Sequence, residues 1–450
     1  MMKPLIVVQG PVATRSGYGN HTRDLVRSII AMDKYELKII SLPWGHCPMD
    51  ALNVQDPKDK MIIDCFLRQQ LNRQPDIFIQ VSVPNEFNMG PDGKEIKPGK
   101  INIGVTAGVE TDVCPAELIL GCNRMDLVIA TSKHSADIIM KSTYDRMDNN
   151  TQKKIDELKC TTPIKVLHEG LDLEVYKKTA ELDRSIVDTL NEIPEQFCFL
   201  SVGHWITGVM GEDRKDIGMT IKTFAETFKS TGSGKRPGLI LKSSGATFSI
   251  IDRDQIQSKI EDILAPYGDK APNVYLLHGD LSDNEMNSLY NHPKVKTMIS
   301  FTKGEGYGRP LAEFAATGKP IMASNWSGQL DFLHPDYCTL LPGKLTKVHK
   351  SAANQFLVEG AQWFTVQYSY ASKVMKDMLK HYKKYLEKSR KMPQHMKNNF
   401  SMEKMTEKFS EMIGNLDIPV APQKMELKLP KLNKKSPPKI NLPKLKKVKI

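Results

Sequence analysis

The first part of the chain alternates short runs of β-branched and aliphatic residues with amphipathic stretches. PLIVVQG (4–10), ELKIISLPW (36–44), DIFIQVSVP (76–84), KINIGVTAG (100–108), DLVIATS (126–132) and IKVLHEG (164–170) read as strands, and helical spacing occupies stretches such as 20–32 and 133–142 between them. Near-continuous Val/Ile runs separated by helices predict a parallel sheet buried on both faces. The pattern starts afresh near residue 195, with strands expected in FCFLSVGHW (197–205), GLILKSS (238–244), NVYLLHG (273–279), VKTMISF (295–301) and KPIMASN (319–325). Helical patterns intervene at 216–230, 253–265, 283–290 and 310–317. The expectation is an α/β protein of two facing Rossmann-like domains, 1–185 and 186–415, with ligands held beyond the carboxyl ends of the strands in a central cleft. Residues 353–413 read as wholly helical, and 402–413 reads as a final helix packing back on the first domain. Beyond that the pattern collapses into Pro/Lys alternation. Residues 416–450 are expected to be a disordered basic tail, because such a composition buries too little apolar area to offset chain entropy.

A length of 450 residues agrees with two large domains, and 40% hydrophobic with 26% charged residues is ordinary for a globular protein. The seven cysteines are scattered and form no C-x-x-C pair, which points to reduced thiols, a cytoplasmic setting and no zinc site. No apolar run approaches the ~20 residues of a membrane-spanning helix. The net charge of +11 is concentrated at the end, where 420–450 holds ten lysines against the single acid Glu426.

The chemistry gathers in GEGYGRPLAEFAATGKP (304–320), a glycine-rich turn between a strand and a helix. Glycines there permit tight geometry and close approach of a ligand, and free amides at 306–309 with the helix end form an anion site suited to phosphate. Glu305 and Glu313 flank the turn. Carboxylates accept hydrogen bonds from hydroxyls, so the combination describes a nucleotide-sugar, with sugar and ribose at either end of a diphosphate.

This segment resembles the E-x7-E signature of the family-4 retaining glycosyltransferases, which have GT-B architecture. The resemblance extends through 281–333, VLHEGLDLEVY (166–176), RKDIGMTIKTFAETF (214–228), SGYGNHTRDL (16–25), VETDVCP (109–115) and NRMDLVIATSKHS (123–135). It implies transfer of a sugar from a nucleoside-diphosphate-sugar to an acceptor hydroxyl with retention of configuration and without a metal or other cofactor. By the same resemblance Glu305 holds sugar hydroxyls and Glu313 the ribose. Thr302 and the amides of Gly306, Tyr307, Gly308 and Arg309 lie near the diphosphate, and Lys215 with Arg214 neutralises the leaving phosphates. Gly17 and Gly19 approach from the first domain, and Glu110, Thr111 and Asp112 stand on the acceptor side.

The sequence departs from the family in having Gly203-His204 where many relatives have Gly-Arg, for which Arg214 is a candidate replacement. A non-catalytic nucleotide-sugar-binding protein is the alternative that this departure raises. Asp252-Arg253-Asp254 reads as a helix start rather than a metal site, and GSGK (232–235) as a turn. His168, His204, His278 and Trp326 could face a ligand or simply pack, and Lys242 could face the donor phosphates. The acceptor is expected to be a glycan, a lipid-linked molecule or a hydroxylated nucleic-acid base. The tail could hold an anionic membrane surface or nucleic acid, or serve only solubility.

Overall fold

Leu5, Ile6, Val7 and Val8 are each 1% exposed or less, as expected of a strand covered on both faces. A computed structural model, which describes residues 3–148, 151, 153–245 and 247–416, places them second in a six-stranded sheet. Its order is Glu36–Ser41, Leu5–Gly10, Ile77–Val81, Ile101–Thr106, Leu127–Ala130 and Ile164–Val166, with every neighbouring pair parallel. The second sheet, also parallel throughout, runs Val274–Leu277, Gly238–Lys242, Cys198–Val202, Val295–Ser300, Ile321–Ser324 and Thr339–Leu341. The tail expected at 416–450 falls, but for Leu416, outside the described residues.

Alternation along the strands of the second sheet builds two cores. Leu200, Ile240, Met298 and Ile321 face one side, where Leu311, Phe314, Met392 and Met396 cover them. Phe199, Leu239, Leu241, Ile299 and Met322 face the other, beneath Ile221, Phe224, Met375 and Met378. The eleven strands expected from the pattern are all present, several of them shorter than the run that signalled them.

One expectation is corrected. Residues 353–413 are not wholly helical: Gln362–Val366 is a strand, paired antiparallel with Gly343–Lys347. QWFTV carries the aromatic and β-branched residues that suit a pleated surface, and it buries Trp363 on one side and Phe364 and Val366 on the other. Helices then run from Tyr368 to Gly414 with short breaks. In the last, Met402–Gly414, Ser401 caps the amide of Lys404, and Met405, Phe409 and Ile413 insert at four-residue spacing into the core of the first domain. The chain returns there through Leu171, whose amide donates to Phe400 O and whose carbonyl accepts from Met402 N. No helix among the described residues is long and apolar enough to cross a membrane.

Candidate functional site

Val295–Ser300 delivers the chain to a turn braced from behind. The Ser327 hydroxyl accepts from Glu305 N at 2.9 Å, Gly328 N donates to Glu305 O, and Ser324 Oγ donates to Thr302 O at 2.7 Å. These contacts leave the amides of Gly306, Tyr307, Gly308 and Arg309 without an acceptor among the described residues. Gly308 has φ 98°, a left-handed conformation that glycine adopts without strain, and Pro310 fits the opening of the helix Arg309–Ala315. Gly304 and Gly306 are glycines for another reason. A Cβ on Gly304 would stand 1.9 Å from Glu110 O and one on Gly306 1.8 Å from Ala107 O, so the backbone of the first domain closes directly onto the turn. Thr131 Oγ1 adds a hydrogen bond to Gly306 O.

Four charged groups meet at this junction. Lys215 Nζ lies 2.5 Å from Glu305 Oε1, and Arg214 Nη1 lies 3.2 Å from Glu305 Oε2 and 3.0 Å from Glu110 Oε1. Arg214 also donates to Gly304 O, so one guanidinium ties the turn to the first domain. Burial works to raise the Glu305 pKa, but Lys215 and Arg214 outweigh it and hold this carboxyl below its ordinary value. For Glu110 burial prevails over Arg214 and the shift is upward. Gly203 leaves room for the stem of Lys215, whose Cδ would be 3.2 Å from a Cβ there. His204, the departure from the family pattern, lines the cleft with Nδ1 2.8 Å from Ser244 Oγ; burial, then the nearby cations, lowers its pKa to about 4.

The cleft enclosed by the two domains has a volume of about 690 Å³. Of the residues expected from sequence it gathers Gly17, Glu110, Arg214, Lys215, Glu305 and the 306–309 segment on its walls. The others lie elsewhere. Gly19 is pinned against Thr14 O, Thr302 is fully buried, and Thr111 bonds to Val113 O. Asp112 clasps Gln362 through two backbone-directed bonds that join the domains. Glu313 is set behind the wall and engaged by Arg309 at 3.1 Å and Tyr290 at 2.9 Å. Lys242 and His204 face the cleft, whereas Trp326 stacks on Phe364 and meets His134 edge-on, His168 binds Asp331, and His278 binds Asp252. Asp252 further accepts from Gly245 N, Asp254 pairs with Arg253, and 233–235 forms a short turn.

Gly17 contrasts with Gly304 and Gly306, since a Cβ on it would meet nothing within 4 Å. Gly17→Ala should leave the melting temperature unchanged, within about 0.5 kcal/mol of stability. If the open space is ligand space, the variant will weaken nucleotide-sugar binding, which titration calorimetry can measure.

Arg309 anchors a second cluster that sequence reasoning missed. Its guanidinium reaches Asp24 at 2.5 Å and Glu169 at 3.3 Å from the first domain, and Glu313 from its own helix. Glu169 stands just beyond the strand Ile164–Val166, the only sequence signal that it faces the cleft. Burial, opposed by Arg309, pushes Glu169 and Glu313 up to about 7, because one cation cannot hold three buried carboxylates fully ionised. A carboxyl with its folded pKa raised favours folding while protonated, so this contribution declines as pH rises from about 4.5 through about 7. Glu169→Gln is therefore expected to be more stable than wild type at pH 8 and to lose that advantage by pH 4.5. Melting curves across the range check the sign.

Neither a family model nor a curated protein matches the sequence. The structure, however, is similar to solved ones. HepE from Anabaena in complex with UDP-glucose aligns with a TM-score of 0.59 at 13% identity, covering 92% of this chain and 100% of that one. The E. coli trehalose-6-phosphate protein bound with UDP-2-fluoro glucose aligns at 0.58 and 11% identity, over 92% and 99%. Sucrose-phosphate synthase from Thermosynechococcus elongatus aligns at 0.54 and 12% identity, over 92% and 98%. The two facing parallel-sheet domains are thus the GT-B fold.

Proposed function

We propose that this GT-B protein is a glycosyltransferase that moves a sugar from a nucleoside-diphosphate-sugar to an acceptor hydroxyl, with retention of anomeric configuration. The observation that carries the reading is the meeting, in one cleft, of four unpartnered amides at 306–309 with Lys215, Arg214 and Glu305. Solved structures of the same fold that hold UDP-glucose or UDP-2-fluoro glucose support it.

In this reading the bond between the anomeric carbon and the phosphate oxygen breaks, and the electron pair leaves with the diphosphate. Fixed amides and cations stabilise that charge best where water is excluded and no reorganisation is needed. Lys215 and Arg214 supply the positive charge, so the proposal requires no metal. Glu305 accepts from sugar hydroxyls, sharing Lys215 with the donor. The acceptor oxygen bonds to the same face of the anomeric carbon, and its proton passes to the departing phosphate. Glu313 is assigned the ribose, a contact for which the Arg309 side chain must move aside.

A thermal-shift screen of nucleoside diphosphates and their sugar conjugates, run with a chelator, tests the donor site. One nucleotide family should stabilise wild type and not Glu313→Ala, and the matching sugar nucleotide should be turned over by wild type and not by Glu305→Ala. Absence of any shift would remove the donor-site assignment. Binding without turnover would make the protein a nucleotide-sugar binder.

A further inference from the structure

We propose that Trp44 is the platform on which an uncharged ring-bearing acceptor, a neutral glycoside, lays its apolar face; the proposal rests on the transferase reading above. Trp44 follows the strand Glu36–Ser41 and lines the cleft. Its indole stacks on Tyr18 with ring centroids 4.1 Å apart and planes 25° from parallel. Tyr18 is itself fixed, with its hydroxyl 3.1 Å from both Thr106 Oγ1 and the Ala107 amide. The indole is therefore held in place before any ligand arrives, which limits the entropy lost on binding.

Among the described residues no other ring and no cation is stacked on Trp44. Val83, Pro84, Val109 and Leu118 continue the wall, and Phe356 and Leu357 complete the apolar lining. An aromatic face amid aliphatic side chains suits the apolar side of a ring, with hydrogen bonds made only at its edge. Glu110 provides an edge acceptor, since its carboxylate lies in the same cleft and binds Arg214 through Oε1.

The charges favour a neutral occupant over a nucleic acid. Arg15 is held by Asp50 and Asp280, and Arg214 and Lys215 are held by Glu110 and Glu305. A polyanion would need cations along its path to displace its counterions. In this cleft Arg15, Arg214 and Lys215 are each already paired with a carboxylate.

The test uses the full chain, the donor identified by thermal shift, and two acceptor arms. One arm is a panel of methyl glycosides of glucose, galactose, mannose and N-acetylglucosamine. The other is a single-stranded oligonucleotide carrying hydroxymethylated pyrimidines. Nucleoside diphosphate release is followed against acceptor concentration for wild type, Trp44→Ala and Trp44→Phe. A glycoside should stimulate release, with acceptor KM raised about tenfold in Trp44→Ala, donor KM within twofold, and most of the loss recovered in Trp44→Phe. The proposal is overturned if only the oligonucleotide stimulates, if no acceptor does, if acceptor KM is unchanged in Trp44→Ala, or if donor KM rises in parallel. A failure of the transferase reading shows earlier and separately, as wild type that neither binds nor hydrolyses any sugar nucleotide.

Discussion

Lys215→Ala should lower kcat/KM by about 100- to 1000-fold, the usual consequence of deleting one fixed donor aimed at developing negative charge. The side chain is held 2.5 Å from Glu305, and its stem passes over Gly203, a placement that Arg214, committed to Gly304 O and Glu110, does not share. Arg214 still faces Glu305 at 3.2 Å in the variant, which keeps that buried carboxylate paired and the fold intact. Lys215→Arg should restore only a small part of the rate, because a planar fork does not reproduce a compact ammonium whose stem packs on Gly203 and whose head meets Glu305. Nucleoside diphosphate release under single-turnover conditions measures the chemical step directly. A Lys215→Ala protein that keeps more than about a tenth of wild-type activity would exclude this lysine from leaving-group stabilisation.

The second large effect is expected at Gly306. Its added Cβ in Gly306→Ala would lie 1.8 Å from Ala107 O, a clash with backbone that no rotamer change relieves. The domains must separate to accommodate it, at a cost of about 3 kcal/mol. Separation also takes Glu110 away from Arg214 and draws Thr131 from Gly306 O. Activity should fall more than about 100-fold, since a small misplacement of reacting groups carries that penalty. Secondary structure should survive, and the radius of gyration from small-angle scattering should increase. Unchanged scattering and activity would show that the closed contact at Gly306 is not required for turnover. Gly17→Ala, with open space around its Cβ, serves as the control for the scattering and stability arms alone, where it should match wild type.

Much of the fold was legible because it is written in local periodicity. Runs such as LIVVQG and CFLSV have to be buried on both faces, and the helices between them show one apolar face each. The failure at 362–366 came from reading a short aromatic strand as part of the long helical stretch that follows it. Five residues are too few for periodicity to separate the two, and pairing with Gly343–Lys347 decided the matter.

The candidate site divides in the same way. The glycine-rich turn, Glu305 and the Arg214-Lys215 pair were readable because their chemistry is adjacent in sequence or matches a compact motif. The Arg309 cluster was not, since Asp24, Glu169 and Glu313 come from three distant segments and meet only across the closed cleft. Glu110, Thr111 and Asp112 are consecutive, yet only Glu110 faces the cleft, because Asp112 is taken up by Gln362 and Thr111 turns into its own loop. By itself, then, the sequence determined two α/β domains and the glycine-rich turn that opens a helix, since burial pattern and backbone freedom act over a few residues. Tertiary structure alone decided which carboxylates share Arg309, why Gly304 and Gly306 lack side chains, and where Trp44 stands, because those facts depend on distances between segments far apart in the chain.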